Sequence, residues 1–416
     1  MSLGLVTMKR LVAYFVAFYL SFWGLGQSIP GLGLSAGVVG TAAVFIFSPI
    51  LFVGQKLHLR HQGLLTAFVL LHVVLVNPFE LGNLSLKADL IVHIGAAFLF
   101  FVLVLNLVGN LQIYSRMIGV LLGTAAGVTL VLVYLHLFVY QSQYLTGHLT
   151  YNEYLDLGRE GKNTLAFFLA LLFPFAYARF THHRGGYNLS ILLLVTFGAL
   201  YTISRMALLS LISSVILFAL WGTRGYRYRR QMVLVGLIVL VILPVQFGIE
   251  PLTTFLKLRS PAEVEEVESG ERGFVALGGH RYTLLLQSLE GFATSPIFGR
   301  GLGSSRQGGR SESHNDYARI LYEFGLVGLL LFGSIIWISF RDLRSCKELV
   351  PPEHKWLLDG QVVALIGTFL MLLLINAYDS LPVWFILAGS QIIPRAAKGR
   401  VLLEAKNGDI GMSLRV

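Results

Sequence analysis

The sequence predicts an all-α integral membrane protein with about twelve transmembrane helices, and three observations predict it. Of the 416 residues, 55% are hydrophobic and only 13% charged, where an ordinary soluble domain carries about 25% charged residues. The mean hydropathy is +0.71. Apolar runs long enough to cross a bilayer, about 20 residues, recur along the chain, so the usual division into soluble domains of about 100–200 residues does not apply. A soluble enzyme is thereby excluded. The single cysteine, Cys346, excludes an internal disulfide and a cysteine-rich metal site.

The apolar runs fall near 11–29, 32–53, 63–77, 89–108, 117–139, 163–180, 187–203, 206–222, 231–249, 320–340, 360–377 and 382–394. The first follows Met8-Lys9-Arg10 as a signal peptide would. It exceeds the apolar stretch of about 7–15 residues in such a peptide, and a second run begins directly after Pro30-Gly31, so it reads as a retained helix. Twelve spans put both termini on one side. With the N-terminus inside, the cytoplasmic segments hold 20 of the 32 Lys and Arg, including the cluster Arg224, Arg227, Arg229 and Arg230, with 6 of the 22 Asp and Glu. The inner balance is then +14 and the outer balance −4, which is the positive-inside pattern. The net charge of +10 therefore reports orientation in a membrane and implies no nucleic-acid partner.

The chain divides into spans one to nine (1–249), a large outer loop (250–319), spans ten to twelve (320–394) and a cytoplasmic tail (395–416). A loop of roughly 70 residues is far beyond the length at which structureless connections are common, so helices are expected inside it. Tyr282 to Phe292 has apolar residues at helical spacing and is closed by Ser295-Pro296. The acidic run Glu263 to Glu271 reads as a solvated loop face. A shorter outer loop, Tyr140 to Lys162, carries Arg159 and Lys162.

No Walker-type loop, HExxH, CxxC or GxSxG motif occurs. A reaction outside the cytoplasm also lacks ready ATP, so its substrate must arrive activated, which points to a lipid-linked donor. Three features could carry such chemistry. His314, in Ser313-His314-Asn315-Asp316-Tyr317, stands at the end of the large loop with Gly325-Leu326-Val327-Gly328 about three helical turns on. It either hydrogen-bonds at the membrane interface or takes a proton from a hydroxyl, for which an imidazole near neutrality is suited. The glycine pair would let another helix approach closely and hold the histidine's helix in place.

Arginine at the outer boundary is the second feature. Arg205 lies in the tight turn between spans seven and eight, and Arg281 starts the loop helix after Gly278-Gly279-His280. Each is read either as a surface or snorkelling charge or as a bidentate phosphate ligand, with the helix N-terminus at Arg281 adding donors. The third feature is Phe298-Gly299-Arg300-Gly301-Leu302-Gly303-Ser304-Ser305, with Arg300, Arg306 and Arg310 nearby. On composition this is a flexible turn before it is a phosphate cradle. His58, His61, His182, His183 and His354 read as interfacial on the inner side; His72, His93 and His136 read as hydrogen-bonded within the bundle.

Taken together, these residues resemble the bacterial O-antigen ligase family, in the larger group that includes O-antigen polymerases and protein O-oligosaccharyltransferases. The layout of spans and outer loop matches over nearly the whole chain. The most specific match is His314-Asn315, then nine residues, then Gly325-Leu326-Val327-Gly328; the Ser204-Arg205 turn, the Arg281 helix and Pro296 to Gly301 also match. The resemblance implies a GT-C-type fold. It also implies a glycosyltransferase that moves a completed O-antigen from undecaprenyl diphosphate to lipid A-core oligosaccharide, at the periplasmic face of the bacterial inner membrane. On it, His314 would be the general base and Arg205 and Arg281 the diphosphate ligands. Arg159, Lys162, Arg300, Asn315 and Asp316 would be secondary substrate contacts. No cofactor and no metal are expected, since two or three arginines can supply the charge a metal would; the reaction would be inverting. A polymerase would use a second lipid-linked glycan as acceptor, a protein glycosyltransferase a Ser or Thr, and a transporter would place polar residues along mid-membrane helices.

Overall fold

The computed structural model describes residues 12–14, 16, 84–134, 138, 158–202, 204–221, 280–305 and 315–413. For residues 84–93, 158–163, 205, 221, 280–283 and 404–413 only the backbone is described. The spans expected near 32–53, 63–77 and 231–249, nearly all of 11–29, the acidic run and His314 lie outside the described residues. Among the described residues the protein is helical, with no strand.

In chain order the helices are α1 (Leu84–Leu107), α2 (Leu111–Tyr134), α3 (Gly158–His182), α4 (Gly186–Tyr201), α5 (Arg205–Trp221), α6 (His280–Thr294), α7 (Asp316–Ser345), α8 (Lys355–Met371) and α9 (Leu381–Ser413). Three are long and apolar enough to cross a membrane: α2, the Thr164–His182 part of α3, and α7. Shorter apolar helices cover Ile94–Leu107, Gly186–Tyr201 and Met206–Leu220. All-α architecture with such helices fits an integral membrane protein.

Helix α3 is central and packs against α4, α5 and α8. Its run from Leu165 to Ala178 is buried throughout. Small residues bring neighbours close, as expected where side-chain packing drives helix association. A Cβ on Gly360 of α8 would lie 2.8 Å from Phe175 Cδ1, and one on Gly198 of α4 would collide with Thr129 of α2.

Polar side chains tie the helices together. Tyr114 of α2 donates to Gln361 Oε1 at 2.6 Å, and Gln361 Nε2 donates to the Ile386 carbonyl of α9 at 2.7 Å. Interhelical bonds of this kind average about 0.6 kcal/mol each. Arg395 donates to the carbonyls of Leu105 and Val108, satisfying the open C-terminus of α1. His182 lies 2.9 Å from Asp359, and the Arg179 guanidinium stacks on Trp356. These contacts join, in one chain, segments that the basic residues assign to the same side.

Several boundaries differ from the apolar runs. Helix α7 starts at Asp316, so Asp316 to Arg319, assigned to the loop, belong to the helix. Helix α8 ends at Met371, six residues before the expected end of span eleven, because residues 372–380 form turns whose backbone is committed elsewhere. Helix α3 begins at Gly158, which places Arg159 and Lys162 in its first turns rather than in a loop. Helix α9 continues through Pro394 to Ser413.

Candidate active site

The site is built around the start of α7. Asn315, with extended backbone (φ −143, ψ 106), caps it: its Oδ1 accepts from Ala318 N–H at 3.0 Å. Asp316 is fully buried. Its N–H donates to the Leu372 carbonyl at 2.9 Å, and its Oδ2 accepts from the N–H groups of Ala377 at 2.6 Å and Tyr378 at 2.8 Å. Tyr317 donates to the Phe369 carbonyl at 2.8 Å. The first turn of α7 is thus fastened to the end of α8 and to the α8–α9 connection.

One turn further, Arg319 and Glu323 stand at i and i+4, both fully buried, with 3.6 Å between Nε and Oε1. Arg319 also reaches Asp379 at 3.4 Å and lies 4.8 Å over the Tyr378 ring. Desolvating such charges costs several kcal/mol per ion, so mutual pairing is what makes the burial tolerable. Burial holds the Tyr378 phenol well above its ordinary pKa, so it stays neutral beside the guanidinium. Ser305 donates to Glu323, which brings the glycine-rich segment to the same cluster.

Helix α7 is broken at Gly325, which has φ 63 and ψ −159. A continuous helix would bond Leu326 N–H to the Tyr322 carbonyl and Val327 N–H to the Glu323 carbonyl. Residues 296–301 take over all four groups. Arg300 and Gly301 N–H donate to the carbonyls of Tyr322 and Glu323, both at 2.9 Å, while the carbonyls of Pro296 and Ile297 accept from Leu326 at 2.9 Å and Val327 at 3.1 Å. Gly299, at φ 69, admits no Cβ because the backbone of Glu323 and Phe324 fills that space. Two expectations are corrected here. What approaches closely at the glycine pair is this segment and not another helix, because Gly325 interrupts the helix instead of thinning its surface. And the glycine-rich stretch, read on composition as a plain turn, is hydrogen-bonded to both halves of α7.

Helix α6 flanks the insert, with Gly291 against the ring of Tyr322. Arg300 is exposed; it donates to Thr294 at 3.1 Å and to Tyr322 Oη at 3.2 Å and lies 5.6 Å over the Tyr322 ring.

The expected site residues are therefore distributed as follows. Asn315 and Asp316 are engaged with the backbone at the start of α7, whereas Arg300 sits on the insert and contacts Thr294 and Tyr322. His314 immediately precedes Asn315 but lies outside the described residues. Arg205 is the first residue of α5 and Arg281 the second of α6; their side chains, and those of Arg159 and Lys162, are not described. Sequence reasoning missed Arg319, Glu323, Asp379, Tyr378 and Ser305. A signal existed for the first two, since paired charges inside an apolar helix mark a functional site by default. Among the described residues no group of three or more His, Cys, Asp or Glu could hold a metal ion.

Residues 190–333 match the model of the O-antigen ligase family. That match spans about a third of the chain, and over it the chain is similar to O-antigen ligases. The O-antigen ligase match runs from α4 to the middle of α7 and so contains Arg205, Arg281, Arg300, His314, Asp316, Arg319 and Glu323; Asp379, Arg159 and Lys162 lie outside it. No curated protein matches the chain. The match to the O-antigen ligase family, together with the apolar helices, supports a bacterial membrane protein of ligase or polymerase type, a glycosyltransferase-like enzyme acting on lipid-linked glycans.

Proposed function

We propose that this protein is an O-antigen ligase of twelve spans and GT-C type. It transfers a completed O-antigen from undecaprenyl diphosphate to lipid A-core oligosaccharide at the periplasmic face of the inner membrane. A hydroxyl of the acceptor sugar attacks the anomeric carbon of the donor. The glycosidic bond forms as the bond from that carbon to the phosphate oxygen breaks, and the electron pair leaves on undecaprenyl diphosphate. The hydroxyl proton passes to His314. Attack and departure on opposite faces invert the anomeric centre.

Arg205 and Arg281 bind the diphosphate and stabilise the charge that grows on it, an interaction stronger in the transition state than in the ground state. Those arginines supply the charge that a divalent metal would otherwise provide. Arg159, Lys162 and Arg300 make secondary contacts with phosphate or glycan. Asn315 and Asp316 serve the base by fixing the turn that follows it.

The observation that carries this reading is the fastened start of α7, directly after His314 and within the family match: a base must be held in place to within a fraction of an ångström to be effective. Replacement of His314 by Ala is expected to abolish glycan transfer while membrane insertion and elution in detergent stay as in the parent. Full transfer by that variant would remove His314 from the role of base.

A further inference from the structure

Helix α6 has an apolar side that no other described residue covers. Leu284, Ser288 and Gly291, at i, i+4 and i+7, are buried, with Gly291 against Tyr322 of α7. Leu286, Leu289 and Ala293 repeat at i, i+3 and i+7 on the opposite side, and all three are exposed. Gln287, Glu290 and Thr294 form one polar strip along the helix. The turn after the helix then presents Ile297 and Phe298 at 58% and 56% exposure. The backbone of this turn is tied down, with the Ile297 carbonyl accepting from Val327 N–H and Gly299 N–H donating to the Ser295 carbonyl.

The same hydrogen bonds set this turn beside Leu326, and Leu330 follows one helical turn on; both are exposed on α7, a helix long and apolar enough to cross a membrane. The exposed apolar residues of that span therefore lie next to the Ile297-Phe298 turn, which directly follows α6. An exposed apolar surface of this extent marks an interaction site, and continuity with a lipid-facing helix identifies the occupant. We infer that the outward stripe of α6 and the Ile297-Phe298 turn rest in the interfacial layer of the bilayer, with acyl chains as their partner. Such helices sink their apolar face about 5–10 Å into the boundary between headgroups and chains. The glycine-rich insert is thereby held at the membrane surface, at the level where the head of a lipid-linked substrate emerges.

The test uses Phe298→Cys, Leu289→Cys and, on the polar strip, Gln287→Cys in the full-length protein. Each carries an environment-sensitive fluorophore and sits in vesicles of phosphatidylethanolamine and phosphatidylglycerol. The native thiol, Cys346, is buried, and labelling of the parent protein gives the background. Labels at 298 and 289 are expected to lose most of their emission to a lipid carrying a nitroxide near the top of its chain, and little to aqueous iodide; the label at 287 shows the reverse. Iodide quenching at 298 and 289 equal to that at 287 overturns the inference. So does protection from both quenchers, which would mean that another segment of the chain covers the stripe. Phe298 lies in an exposed turn, so its variant gives a reading even if Leu289→Cys fails to fold.

Discussion

The Ile297 carbonyl occupies the space that a side chain on Gly325 would need. That contact joins two halves of a broken helix through a segment some 25 residues earlier in the chain, and the positive φ at Gly325 makes it available to glycine alone. Replacing Gly325 by Ala is expected to lower the thermal unfolding midpoint, corresponding to about 1–3 kcal/mol for an alanine forced into this backbone region, and to open residues 295–305 to protease. Gly333, with nothing within 4 Å of the place a Cβ would take and regular helix around it, is the control: alanine there gains up to about 1 kcal/mol in helix propensity. Equal midpoints for the two variants would show that the break is not held in the way described.

The Arg319 cluster makes a second prediction through coupling. Arg319→Met leaves the buried Glu323 and the half-buried Asp379 without their guanidinium, and removing one partner of a buried pair such as Arg319–Glu323 costs about 3–5 kcal/mol. Adding Glu323→Gln to that variant takes away the buried carboxylate charge. The double variant is therefore expected to unfold at a higher temperature than Arg319→Met alone. Strictly additive losses would mean that the two residues do not interact.

Cys346 follows α7 and is fully buried, its thiol bonded to the Leu343 carbonyl at 3.2 Å. Burial pushes its pKa up to about 11. Since the thiolate is the reactive form, the folded protein stays protonated at this site at about pH 8, where a free thiol is partly ionised. Intact-mass measurement is expected to find no iodoacetamide adduct on folded protein in detergent and one adduct after denaturation. Rapid labelling of the folded protein would place Cys346 at the surface.

Much of the helical layout could be read from hydropathy, because a run of apolar residues is what a buried or lipid-facing helix requires. Hydropathy is blind to what the backbone does at the ends of such runs. Leu372 to Ile375 are as apolar as the helix before them, yet the Leu372 carbonyl accepts from Asp316 and the helix has already stopped. Asp316 reads as an available carboxylate, but it is fully buried and its Oδ2 is taken by backbone groups some 60 residues later, a partnership with no local trace. Spacing of Gly325 and Gly328 announced a close approach correctly and misnamed the visitor, since small residues admit a loop as readily as a helix. Asp379 joins Arg319 only because α8 and α9 return the chain to the same end of the bundle. Arg319 and Glu323, by contrast, sit one turn apart and were legible as an ion pair.

Whether this protein moves a lipid-linked glycan onto lipid A-core is decided by transfer assays on the purified protein in proteoliposomes. Undecaprenyl-diphosphate-linked glycan is supplied with lipid A-core, a second lipid-linked glycan or a protein acceptor in separate reactions, each with a chelator present. Glycosylated lipid A-core is the expected product, formed at an undiminished rate in the chelator. Elongation of the second glycan-lipid with no product on lipid A-core would contradict the ligase assignment and make the enzyme a polymerase.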